Sequence, residues 1–200
     1  MTLFSKLEPN HLTVPHSTDT DIMKILKFIF LTLALISIVS CEKNADISKP
    51  INYSKDGISF AHPGNWKVTE DAHQDDVRFM FIETPGNAIV MIQIYPKQDA
   101  VSLNEYAEWF SSEVIKETPV AKRSVGKFAN INTTLDGTTL TGMRQNFSIA
   151  LLGIDVPHTA EYYRIEKGNK VAFLINQTAT EDLTKVSKGF ELLLGSFAIN

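Results

Sequence analysis

The sequence predicts an α+β protein, one mostly antiparallel sheet with helices packed on its faces. Three observations predict it. Short apolar runs bounded by Gly, Pro, Asn and Asp recur from residue 57 to 178, the pattern of strands joined by tight hairpins. Two stretches change to helical spacing, one after Ser102 and one after Thr180. Residues 88–95 are apolar on both faces: Ala88, Val90, Ile92 and Ile94 alternate with Ile89 and Met91. A strand of that kind is covered from above and below.

The elements follow in order. Gly57-Ile58-Ser59-Phe60 is a strand after an Asp-Gly turn signal. His62-Pro63-Gly64-Asn65 turns the chain into the strand Trp66-Lys67-Val68-Thr69. Val77–Glu83 and Ala88–Tyr95 form a hairpin about Pro85-Gly86-Asn87. Ser102-Leu103-Asn104-Glu105 is a capping box, and Leu103, Tyr106, Ala107, Phe110 and Val114 make the buried stripe of the helix it opens. Thr118-Pro119 stops that helix. Strands are expected at Ser124–Ile131, at Thr138–Leu152 after Asp136-Gly137, at Thr159–Glu166, and at Val171–Thr178 after Lys167-Gly168-Asn169. A last helix buries Leu183, Val186, Phe190, Leu193 and Leu194, with Gly195 at its C-cap. Ser196–Ile199 returns as a short edge strand.

Ahead of this domain lies an address. Residues 23–41 read MKILKFIFLTLALISIVSC, a basic front, an apolar run and a small residue before the only cysteine. That is the order of a secretory signal, and the run is shorter than the roughly 20 residues that span a bilayer. The ending Ile38-Val39-Ser40-Cys41 resembles the lipobox of bacterial lipoproteins. The resemblance implies that the Cys41 thiol carries a diacylglyceryl group and becomes the first residue after cleavage. Val39 is its weakest match. Two or three acyl chains hold a protein stably, at about 0.8 kcal/mol per buried methylene. Residues 1–22 are net negative, unlike a signal front, so Met23 is the better start and 1–22 read as a misassigned one. Residues 41–52, polar and containing Pro50, read as a flexible lipidated tether spanning on the order of 20 Å. Residues 53–200 form a single domain.

Composition excludes several classes. Hydrophobic residues are 44% and charged residues 21%, ordinary for a globular chain. The net charge of −4 gives no pull toward nucleic acid. Residues 1–40 hold equal numbers of acids and bases, so the exported part keeps that charge. One cysteine makes neither an internal disulfide nor a zinc site.

Asp56-Gly57-Ile58-Ser59-Phe60-Ala61-His62-Pro63-Gly64-Asn65-Trp66-Lys67-Val68 resembles the opening of PsbP-like domains, a short strand, a proline turn and a tryptophan strand. The closing helix and Leu193-Leu194-Gly195-Ser196-Phe197 are similar to the same family's C-terminus. The likeness covers about Asp56 to Ile199 and implies an α/β/α sandwich. It implies little chemistry, because the fold serves photosystem accessory proteins, partners of a small GTPase and bacterial lipoproteins.

The residues themselves point the same way. There is no Gly-x-Ser-x-Gly elbow, His-Glu-x-x-His motif or phosphate-binding loop. His62 and His158 each adjoin a proline and read as surface turn residues. Glu70-Asp71-Ala72-His73-Gln74-Asp75-Asp76 is the densest set of ligand-type side chains, but its spacing matches no calcium loop, and a solvated loop is the simpler reading. Trp66, Trp109, Tyr162 and Tyr163 are read as core before they are read as a ligand groove. Lys116, Lys122, Arg123 and Lys127 are read as a solvated face.

The expected function is therefore that of a lipid-anchored envelope module, non-catalytic, that binds a protein or assists an assembly. Its partners are a membrane, through Cys41, and an envelope protein; no cofactor, metal or nucleic acid is expected. The alternative is a lipoprotein binding a small ligand or a divalent cation, and behind it a hydrolase. Glu42, in place of the Asp that keeps enteric lipoproteins at the inner membrane, points to the outer membrane.

Overall fold

In the computed structural model, residues 44–86, 88–116, 122–124, 126–151 and 154–200 are described. The readings made for residues 1–22, the leader 23–40, Cys41 and the Thr118-Pro119 stop fall outside them, as do the side chains of Lys116, Lys122 and Arg123.

Asp-Gly turns set the first hairpin. Strands β1 (Ile51–Lys55) and β2 (Ile58–His62) pair antiparallel across Asp56 and Gly57, both at positive φ (48° and 77°). Two consecutive positive φ angles are what a two-residue hairpin turn with the right twist demands. The last strand of the chain, β11 (Ala198–Ile199), pairs with the other edge of β2, so a three-stranded sheet joins the two ends of the domain.

The large sheet has eight strands. They are β3 (Lys67–Gln74), β4 (Val77–Glu83), β5 (Ile89–Pro96), β6 (Lys122–Arg123), β7 (Lys127–Leu135), β8 (Thr138–Leu151), β9 (Ile154–Lys167) and β10 (Lys170–Ala179). Their order is β3-β4-β5-β10-β9-β8, with β6 and β7 sharing the outer edge of β8. Its pairings are all antiparallel. Turns fall where Asp and Gly allow positive φ, at Asp75, Gly86, Asp136-Gly137 and Gly168.

Two helices cover the sheet. Helix α1 (Leu103–Lys116) packs Tyr106, Ala107 and Phe110 onto Met91, Phe173 and Tyr162 on one face. Helix α2 (Leu183–Ser196) packs Val186, Phe190, Leu193 and Leu194 onto Ile92, Leu174 and Tyr163 on the other, together with Phe60 and Ile199 of the small sheet. The two-faced strand sends Val90, Ile92 and Ile94 toward α2 and Met91 toward α1, as its alternation predicts. The α/β/α sandwich expected from the sequence is the fold observed.

Local details confirm some readings and correct others. Ser102 and Glu105 form the capping box: the Glu105 N–H donates to Ser102 Oγ at 3.3 Å and the Ser102 N–H to Glu105 Oε2 at 3.0 Å. Trp66 is buried, at 3% exposure, beneath α2. Gly195 is no left-handed cap; the helix runs through Ser196, whose Oγ donates back to Leu192 O at 2.6 Å, and ends at extended Phe197. The tether reading also needs correction over its described part. Residues 44–50 are docked on the domain, the Ala45 N–H donating to Lys185 O at 2.8 Å and the Gly64 N–H to Asp46 O at 3.0 Å. Ile51 and Asn52 already belong to β1. A segment N–H donating to α2, a turn N–H donating back to the segment and the Asn65 side chain carry this docking, and polarity of composition does not reveal it.

Candidate functional site

The acidic segment is not a loop. Glu70–Gln74 lies in β3, and only Asp75 and Asp76 turn the chain. A register shift between Val68 and Glu70 precedes it, and beyond that shift the strand period sends Glu70 and Asp71 to opposite faces. Asp71 is taken up by cations of the chain itself. Arg78 grips it with two bonds, Nε to Oδ1 at 2.7 Å and Nη2 to Oδ2 at 3.0 Å. Lys55 Nζ donates to Oδ2 at 2.7 Å, and the Tyr53 hydroxyl donates to the same oxygen at 2.5 Å. Arg78 also donates to Lys55 O and Tyr53 Oη, each at 3.1 Å, and to Asp56 O at 3.5 Å. The Arg78 guanidinium holds the Asp71 carboxyl well below the usual carboxylate range, with Lys55 and Tyr53 adding to it against the effect of burial. This network ties β1 of the small sheet to β3 and β4 of the large one. Among the described residues no three His, Cys, Asp or Glu side chains gather as a metal site.

The histidines do not sit where the sequence suggested. His62 ends β2, buried at 4% exposure, with Nδ1 3.0 Å from Pro63 O. His158 lies within β9, its Nδ1 2.9 Å from Val156 O and its ring 5.6 Å from that of Phe147. Both are strand residues rather than turn residues: pairing with Ile51 carries β2 up to His62, immediately before Pro63, and β9 runs through Pro157 to pair His158 with Ala179. His73 is exposed on β3.

Polar side chains do converge beneath α1. Buried Gln93 accepts at Oε1 from the hydroxyls of Tyr95 and Tyr106, both at 2.8 Å. Burial pushes both hydroxyls far above their ordinary range, so each stays a neutral donor. Gln145 Nε2 donates to Ser111 Oγ at 2.9 Å. These bonds fix α1 in place. Tyr106 stacks on Phe173 at 3.8 Å, nearly parallel.

Trp109 stands on the outside of this scaffold. Its ring lies 5.9 Å from that of Tyr106, and it is 41% exposed, so the core reading fails for it while holding for Trp66, Tyr162 and Tyr163. The helix period carries the signal that finds it. At 3.6 residues per turn, position 109 points about 110° away from the centre of the stripe formed by positions 103, 106, 107, 110 and 114. Near the start of α1, Val101 is 44% exposed, and its carbonyl accepts from Arg164 Nε at 3.3 Å. Arg164 and Lys97 both pair with Glu166, at 2.9 Å and 2.5 Å. The α1 side thus presents an exposed indole on a rigid aromatic stack with fixed charges in the same layer.

An antiparallel sheet between α1 and α2, closed at one side by a small sheet of β1, β2 and β11, is an α+β arrangement of the PsbP-like fold. The fold is similar to the solution structure of cyanobacterial PsbP (CyanoP) from Synechocystis sp. PCC 6803, with a TM-score of 0.50 at 15% identity, over 82% of this chain and 99% of that one. It is matched more distantly by the Ran-binding protein Mog1p of Saccharomyces cerevisiae, with a TM-score of 0.42 at 11% identity over 76% of this chain and 96% of that one. LpqN of Mycobacterium tuberculosis, involved in cell envelope biogenesis, matches with a TM-score of 0.34 at 11% identity over 78% of this chain and 98% of that one. No family model matches the chain, and no curated protein matches it. At these identities the likeness is one of fold.

Proposed function

We propose that this chain is a lipid-anchored accessory module of a bacterial envelope, which binds a protein partner through the outer side of α1. The observation that carries the reading is Trp109, a large aromatic held 41% exposed on a buried stack of Tyr106 and Phe173. Trp, Tyr and Arg on a rigid support are the residues that dominate protein interfaces. The basic, apolar and small-residue order before Cys41 supports the anchor and, with it, a domain on the exported side. Glu42 favours the outer membrane, facing the periplasm, in a Gram-negative cell. The module is non-catalytic in this reading. His62 and His158 face backbone carbonyls, and Asp71 is neutralised by Arg78 and Lys55.

Photo-crosslinking in intact cells tests this. A photoreactive residue in place of Ser112, on the exposed side of α1, is expected to give a discrete protein adduct. The same residue in place of Lys188, on α2, is expected to give none. Trp109→Ala should abolish the adduct at 112. Equal adducts from both helices, or an adduct indifferent to Trp109→Ala, would remove α1 as the binding face. Cys41→Ser should release the chain from membranes or leave an unprocessed precursor.

A further inference from the structure

The segment after the lipidation cysteine is held rigidly. Asn65 brackets it, donating from Nδ2 to Asn44 O at 2.9 Å and accepting at Oδ1 from the Asp46 N–H at 2.8 Å. The Ala45 N–H reaches Lys185 O on α2 at 2.8 Å, and the Ala45 methyl lies among Gly189, Trp66 and Pro63. Asp46 Oδ1 accepts from both the N–H and the hydroxyl of Ser48, at 3.2 Å and 2.6 Å, and closes a local turn. Cys41 precedes Asn44 by three residues, a covalent reach of at most roughly 11 Å. Acyl chains on Cys41 would therefore keep this docked segment at the bilayer surface. Two of the five exposed large hydrophobic residues among those described lie here, Ile47 at 48% and Ile51 at 47%, with exposed Lys49 between them.

We propose that residues 44–51 form a membrane-resting face, with Ile47 and Ile51 against the lipid and Lys49 at the headgroups. This rests on the anchor reading above and adds an orientation to it. Apolar side chains flanked by a lysine suit the headgroup boundary of a bilayer that contains anionic lipid. Residues 44–51 lie on the α2 side of the sheet, so α1 and Trp109 face water. A flexible tether would leave the domain free to tumble; a short leash on a docked segment does not.

The test uses the full lipidated chain in vesicles of phosphatidylcholine and phosphatidylglycerol. Because Cys41 is acylated, Ile47→Cys and Ser112→Cys each offer one free thiol for a nitroxide label. At position 47, collisions with oxygen are expected to exceed those with a water-soluble nickel chelate several-fold, and the ratio should invert at position 112. Chain bound to vesicles with position 47 open to nickel would overturn the orientation and leave the anchor standing. Chain that sediments with vesicles no better than its Cys41→Ser form would overturn the anchor and the orientation with it. A label at 47 shielded in the Cys41→Ser form without vesicles, in proportion to protein concentration, would assign the face to a second copy and overturn the proposal.

Discussion

Trp66 lies across Gly189 so closely that a methyl group built there would come within 2.5 Å of the indole Cζ2. The same methyl would meet Pro63 Cγ at 2.7 Å and Ala45 Cβ at 2.9 Å. The helix can lie this deep on the tryptophan turn only because position 189 has no side chain.

Gly189→Ala sets two effects against each other. Alanine gains about 1 kcal/mol of helix propensity. Overpacking a dense core costs about 1–3 kcal/mol. Three contacts under 3 Å, two of them with rigid rings, put the cost at the upper end. The variant is expected to be less stable in urea by about 1–2 kcal/mol, the difference between these ranges. A midpoint at or above wild type would mean that α2 slides outward freely.

Trp66→Ala empties a site that is 3% exposed. The expected loss is about 3–5 kcal/mol, a large share of the roughly 5–15 kcal/mol a domain has. Trp66→Phe should lose much less, because the indole Nε1 has no hydrogen-bond partner among the described residues to forfeit. Urea unfolding of residues 42–200, followed by far-UV circular dichroism, measures both. A Trp66→Ala midpoint near wild type would contradict the packing described for α2.

Asp71 gives the fold an acid limit. Its folded carboxyl is held low by Arg78, so it contributes stability above the ordinary carboxylate value of about 4. That contribution is lost as pH falls below this value toward the folded one. The side chains of Arg78 and Asp71 are only 5% and 11% exposed. Asp71→Asn should therefore cost about 3–5 kcal/mol at neutral pH, the range for stranding one member of a buried pair. The stability difference between wild type and Asp71→Asn should shrink steadily below pH about 4. A difference that stays constant down to pH about 2 would show that the ion pair does not couple the sheets.

Cations should not bind the acidic segment tightly. Asp71 is already neutralised, Glu70 points away from it, and Asp75 and Asp76 stand exposed in a turn. Calorimetry with calcium, manganese and zinc is expected to show nothing tighter than roughly millimolar, the weak end of oxygen-ligand sites. A micromolar site lost in the Asp75→Ala/Asp76→Ala variant would reverse this reading.

Much of the architecture was legible because turns and periods are local signals. The Asp-Gly pairs at 56–57 and 136–137, the capping box at Ser102 and the two-faced strand 88–95 each declared themselves within a few residues. What escaped depended on partners distant in the chain. Asp71 and Arg78 lie only seven residues apart on one hairpin, but the network that buries them needs β1, whose Lys55 is 16 residues from Asp71 and whose Tyr53 is 25 from Arg78. His62 looked like a turn residue because its burial comes from strand pairing and from the core around Phe60. The docking of residues 44–50 rests on backbone bonds to Gly64 and Lys185, invisible to composition. Trp109 is different: the helix period alone sets it apart from the stripe that faces the sheet.

The pairing of β2 with β11 has a temporal meaning. Ser59 and Asn200 touch across 141 residues of sequence, and the Asn200 N–H closes on Gly57 O at 2.7 Å. A contact so distant in sequence is slow to form and comes late, because its loop must close first. The small sheet cannot be completed until Ala198–Asn200 have been synthesised. In a chain threaded through a membrane pore from its N-terminus, β1 and β2 would emerge long before β11, and the small sheet would stay open until then. Strand β11 would then close the edge of β2 on the far side.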